Sequence, residues 1–144
     1  LSHNFNLLYP GRVPNKSQIV SEVDQTNANF QAILGKDFKT RIFRYPGGHM
    51  SWQGLEATDH ALANQGIQWI DWNMLCGDAE PASVRPTTSE TMMAYMDGSQ
   101  QYFPESHVKV VLMHDAAGKE LTVQTLPQII EYFKNQGYTF GVLE

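Results

Sequence analysis

With 144 residues, 42% of them hydrophobic and 17% charged, the chain has the size of one globular domain, enough apolar side chain for a core and too little charge for a disordered tail. Fifteen Asp and Glu against ten Lys and Arg leave a formal net charge of -5 with no basic run, so the counterion release that drives nucleic-acid binding is missing. The single cysteine, Cys76, rules out an internal disulfide and a cysteine-pair zinc site, and no window approaches the roughly 20 apolar residues of a membrane span.

The chain opens Leu1-Ser2-His3 without an initiator Met, which predicts a processed chain or a piece of something longer. After a polar, turn-rich opening through Tyr9-Pro10-Gly11, residues 17–34 read as a helix, with Ile19, Val20, Val23, Phe30, Ile33 and Leu34 on one stripe and Gly35 as its stop. A strand over 40–44 ends at Pro46-Gly47-Gly48. A second helix over 54–64 and Gly66 lead into an apolar run at 67–72. A third helix, 88–96, carries Met92, Met93, Tyr95 and Met96 and stops at Asp97-Gly98. An apolar strand over 108–113, a fourth helix over 125–135 and a last strand over 138–143 complete the order. Pro127 then falls in a first helical turn, where its missing N–H does no harm.

Helices alternating with short, wholly apolar strands predict an α/β fold with parallel strands, because a strand buried on both faces reads as a continuous apolar run. In such folds the C-terminal ends of the strands carry the site. Three runs end in a charge or an imidazole: Arg44 after Ile42-Phe43, Asp71 after Trp69-Ile70, and His114 after Val110 to Met113. A carboxylate beside an imidazole fixes its tautomer and favours its protonated form, and a guanidinium can hold a second carboxylate ionised. The three together make an acid/base set, with Trp72, Leu112 and Met113 as bulky apolar neighbours fit for a small acyl pocket.

The runs Phe43-Arg44-Tyr45-Pro46-Gly47-Gly48, Ile70-Asp71-Trp72 and Val111-Leu112-Met113-His114 resemble, in order and spacing, the third, fourth and fifth motifs of the polysaccharide deacetylases, carbohydrate esterase family 4. Leu1-Ser2-His3 resembles the end of that family's second motif. The likeness implies an incomplete distorted (β/α) barrel whose first strands are missing, residues 1–144 being the C-terminal part of a deacetylase domain. It implies a divalent metal, zinc by its ligand chemistry, with His3 as one ligand. Arg44 would hold a catalytic base, the Tyr45 N–H would stabilise the oxyanion, and His114 would protonate the leaving amine with Asp71 orienting it. Trp72 and Leu112 would line the acetyl pocket.

The family's first motif, with its base and a further metal ligand, has no counterpart in this chain, because only two residues precede His3, and the first histidine of the pair is missing too. The resemblance thus implies a chain inactive by itself, with unpaired strand edges inviting self-association or pairing with the missing N-terminal segment. Tyr9-Pro10-Gly11-Arg12 and the stretch from Tyr45 to Trp52 are similar to bacterial cell-wall deacetylases. That points to peptidoglycan N-acetylglucosamine and to a secreted, cell-wall location. The alternative is a non-catalytic glycan-binding or scaffold domain using Trp52, Trp69, Trp72 and Tyr102.

Other candidates read more simply. Asp78, after Gly77, is expected to be a turn or capping residue, and Cys76 a small buried hydrophobe. Asp115 begins a turn, His49 is a loop residue near the site, and His60 and His107 are surface or packing residues. Met92, Met93, Met96 and Met113 are core filler.

Overall fold

The computed structural model describes residues 2–143. Among them, five α-helices and four short strands follow one another, helices and strands alternating through much of the chain. They are α1 (Phe5–Leu8), α2 (Lys16–Leu34), β1 (Ile42–Phe43), α3 (Glu56–Asn64), β2 (Gln68–Trp69), β3 (Met74–Leu75), α4 (Ser89–Ser99), β4 (Val111–Leu112) and α5 (Glu120–Asn135). The strands form two parallel pairs, β1 with β2 and β3 with β4, so the sheets are unclosed and agree with a distorted (β/α) barrel. This is the α/β class read from the alternation of elements.

Two compact units divide the chain. One runs through Asp71 and takes in the residues from Val142, and the other spans Trp72–Gly141. In the first, Leu8, Tyr9, Ile19, Val23, Phe43, Tyr45, Leu55, Leu62 and Ile67 form the core. The turn-rich opening therefore contributes more than turns. Asn4 caps α1 by accepting from the Leu7 N–H at 3.3 Å, and this puts Leu8, fully buried, into the core. Asn15 caps α2 in the same way through the Gln18 N–H at 3.2 Å.

The second unit is built on Met74, Met96, Ile129 and Phe133, with Met93, Val111, Met113, Tyr132 and Tyr138 packed against them. Burying each such side chain stabilises by about 1.5–3 kcal/mol, and methionine's flexible thioether suits the irregular gaps between helices and short strands. A capping box between Thr88 and Thr91 starts α4. The helix does not stop at Asp97-Gly98 as expected. It continues to Ser99, whose hydroxyl accepts from the Leu75 N–H at 3.0 Å and donates to the Met96 carbonyl at 2.7 Å, tying the helix end to β3.

Three further expectations are corrected. The run at 67–72 holds β2 only at Gln68–Trp69, and a separate strand, β3, follows at Met74–Leu75. Pro127 lies inside α5, which starts at Glu120, instead of in its first turn. The carbonyl deprived of its N–H partner is that of Val123, an exposed residue, so water can take its place. Residues 138–143 form no strand. The Tyr138 N–H donates to the Phe133 carbonyl at 3.0 Å to close α5, and Phe140, Val142 and Leu143 stay exposed.

Candidate active site

In the second unit, β3 and β4 run side by side with Leu75 opposite Leu112. Each is followed by a loop that carries a titratable side chain, Asp78 after β3 and His114 after β4. The two meet. His114 Nδ1 lies 2.8 Å from Asp78 Oδ1, and the His114 backbone N–H donates to Asp78 Oδ2 at 2.8 Å. The Thr122 hydroxyl donates to the same Oδ2 at 3.0 Å, and Lys119 Nζ donates to the Asp78 carbonyl. The Asp78 side chain is only 4% exposed, against 28% for His114, so the carboxylate is fixed from behind while the imidazole keeps a solvent-facing side.

Burial opposes the charge on Asp78. Hydrogen bonds from the His114 ring and backbone, the charge of the imidazole and the Thr122 hydroxyl outweigh that effect and hold the carboxyl below its usual range. A carboxylate on Nδ1 fixes the tautomer and leaves Nε2 as the nitrogen for proton exchange. Cys76, at 0% exposure, is the small buried residue expected. Burial pushes its thiol up to about 11, the Asp78 backbone N–H pulling the other way and the Asp78 charge adding to the rise. Leu112 and Trp72 are both half-buried.

The first unit holds the loop that follows β1. Arg44 is exposed at its start. The Pro46 carbonyl accepts from the Tyr9 hydroxyl at 3.1 Å and from Trp52 Nε1 at 2.9 Å, and the Trp52 ring stacks on Tyr9 at 3.7 Å beneath Arg12. The Tyr45 hydroxyl donates to Asp59 Oδ1 at 2.8 Å, and His49 Nε2 lies 2.9 Å from Asp59 Oδ2 with its ring stacked on Trp69 at 3.8 Å. Burial and the bond to Asp59 raise the Tyr45 hydroxyl above the ordinary phenol range. Asp71 accepts the His49 N–H at 2.8 Å on Oδ1 and the Met50 N–H at 2.9 Å on Oδ2. These bonds brace the loop after β1 from several sides.

The carboxylate hydrogen-bonded to His114 is therefore that of Asp78, where Asp71 was expected. Asp71 instead braces the loop at 49–50. The physical reason is local. Asp71 directly follows β2 and meets two free N–H groups there, whereas Asp78 follows the strand paired with β4. The sequence carried a signal for Asp78, an apolar run ending in Gly77-Asp78, but Met74 to Cys76 is short enough to merge with the run before it. Asp59, on α3, carried none.

Also in the first unit, a cleft of about 310 Å³ lies between α2 and β1, lined by Val23, Thr26, Asn27, Phe30, Thr40, Ile42, Phe43, Arg44 and Ile67. Asn27 Oδ1 is buried there without a donor among the described residues. Phe30, Ile33 and Leu34, expected on the buried stripe of α2, are exposed.

His3 is exposed, with its backbone in the left-handed region at φ 54°. Among the described residues no group of three His, Cys, Asp or Glu side chains could hold a metal ion, so these residues alone do not make a metal centre.

Comparison with known proteins bears on the family. No family model matches the chain. A Streptococcus mutans CE4 esterase is 56% identical with a TM-score of 0.95, over 100% of this chain and 60% of that one. These likenesses support the CE4/NodB-like polysaccharide deacetylase superfamily. The catalytic domain of peptidoglycan N-acetylglucosamine deacetylase from Eubacterium rectale ATCC 33656 superposes with a TM-score of 0.74 at 27% identity, over 99% of this chain and 62% of that one. A bifunctional xylanase/deacetylase of Pseudobutyrivibrio xylanivorans is 31% identical over 126 residues, which is 88% of this chain and 18% of that protein. The chain thus spans less than two thirds of each of these superfamily members. Among the described residues no helix is long and apolar enough to cross a membrane.

Proposed function

We propose that residues 1–144 are the C-terminal part of a polysaccharide deacetylase domain that hydrolyses N-acetyl groups of a glycan, with peptidoglycan N-acetylglucosamine as substrate. The observation that carries this reading is the buried Asp78 carboxylate on His114 Nδ1. His114, kept in one tautomer with Nε2 available, protonates the leaving amine as general acid. Asp78 orients it. Arg44 serves the base carboxylate, the Tyr45 N–H faces the oxyanion, and Trp72 and Leu112 accommodate the acetyl methyl group. His3 is the residue this chain offers to a divalent ion, zinc in this reading. The base and the other ligands come from residues outside this sequence, so the chain alone is inactive.

The glycan assignment is supported by the 56% identity to a CE4 esterase, and the peptidoglycan assignment by the likeness to the Eubacterium rectale enzyme, together with a cell-wall, extracellular setting. The partner of the chain is the missing N-terminal segment, received in the cleft between α2 and β1. Support for this comes from β1, which has a strand partner on one side only among the described residues, and from the unsatisfied Asn27.

The test is acetate release from N-acetylated glycan by the joined, complete domain supplied with zinc. His114→Ala is expected to lower the rate by roughly 10²-fold or more, and Asp78→Asn to lower it substantially. Unchanged release in His114→Ala overturns the role assignment. A complete domain that binds glycan but frees no acetate supports a binding module instead.

A further inference from the structure

We infer that Thr122 and Lys119, at the start of α5, are positioning residues that hold Asp78 in register with His114. This rests on the reading of His114 as general acid and adds a layer behind it. The Asp78 carboxylate accepts on Oδ1 from the imidazole, and on Oδ2 from the His114 N–H and the Thr122 hydroxyl. Two of the three donors belong to the residue being oriented. Thr122 is the one that ties the carboxylate to a different element, and it is itself 5% exposed, so its hydroxyl has no water to turn to. Lys119, the N-cap of α5, holds the same residue by its carbonyl.

The placement also suits the charge. Thr122 stands in the first turn of a 16-residue helix, where the unpaired backbone N–H groups carry partial positive charge. Bringing that end of α5 to Asp78 favours the ionised carboxylate, and the Thr122 hydroxyl bond acts in the same direction. The titratable groups around Asp78 are His114 from the loop after β4, Lys119 from α5 and Cys76 from its own loop. A threonine hydroxyl is suited to this position because it adds a donor without adding a second charge that would compete for the carboxylate.

The experiment uses Thr122→Val, which keeps the shape and deletes the donor, and Thr122→Ser, which keeps the donor. In the present chain, carbon-detected NMR follows the Asp78 carboxyl through its titration. Thr122→Val is expected to move the Asp78 midpoint up by about one pH unit, the size of one lost hydrogen bond to a charged acceptor, and Thr122→Ser to return it. An Asp78 midpoint that is the same in Thr122→Val and the unmodified chain overturns the inference.

Because a buried valine could prevent folding, the unmodified chain supplies a second measurement. The Thr122 hydroxyl proton should exchange slowly with water while Asp78 is ionised and quickly once it is protonated. Fast exchange throughout overturns the inference. In the joined domain Thr122→Val should lower kcat with little change in KM and shift the pH profile. If the NMR results hold while His114→Ala leaves acetate release intact, the positioning stands and the deacetylase reading falls. If His114→Ala abolishes release and the NMR results fail, the reverse follows.

Discussion

Asp78 accepts from the His114 ring and backbone and from the Thr122 hydroxyl, and its burial extends to its neighbour two residues back. Cys76 is fully buried, and its thiol is pushed up to about 11. Thiol reagents attack the thiolate, and an ordinary unfolded cysteine has a pKa near 8.5, so the folded chain at pH 8 should be labelled about 10²-fold more slowly than the chain in denaturant. Labelling rates with an alkylating reagent measure this, and equal rates in the two states would mean the thiol is neither buried nor raised as described. Cys76 was legible in the sequence as a small apolar residue. The pairing of Asp78 with His114 was not, because a carboxylate after a glycine is common in turns and nothing local says which imidazole it meets.

The element that delivers Asp78 is the turn after β3, and it depends on one glycine. Gly77 sits at φ +80°, and a Cβ there would lie 2.8 Å from Tyr95 Cδ1 and 3.0 Å from Pro86 Cδ. Both the backbone conformation and the space exclude a side chain. Gly77→Ala should cost roughly 2–4 kcal/mol in urea unfolding followed by circular dichroism. It should also weaken the Asp78 to His114 bond, visible as a change in the His114 imidazole resonances. A destabilisation below about 0.5 kcal/mol would show that the turn tolerates what the geometry forbids. Helices were easier to foresee than strands. The caps at Thr88 and the stop at Gly35 are local signals, whereas β3 holds two residues and becomes a strand only because β4 lies beside it.

For the molecule as a whole, the informative feature is apolar surface left without a cover. The cleft between α2 and β1, the exposed Phe30, Ile33 and Leu34, and the unsatisfied Asn27 oxygen all lie in one unit. A buried acceptor without a donor destabilises by about 1–3 kcal/mol. Asn27→Leu should therefore stabilise the isolated chain by about 1 kcal/mol in thermal unfolding, and it should weaken binding of the remaining part of the domain added in trans. That binding should protect the backbone amide of Ile42, which faces away from β2, from hydrogen exchange. Concentration-dependent dimers in sedimentation, with no response to the added segment, would give the cleft to a second copy instead. Neither event occurring would remove the pairing proposal altogether.

The sequence by itself determined the α/β class, the four long helices and the methionine core. Periodicity, caps and apolar runs are properties of neighbouring residues, and they survive without knowledge of the rest. Only the tertiary structure decided which carboxylate faces His114, that residues 138–143 make no strand, and that half of the α2 stripe stays uncovered. Those outcomes depend on which segments lie alongside one another, and pairing between distant segments leaves no period in the chain.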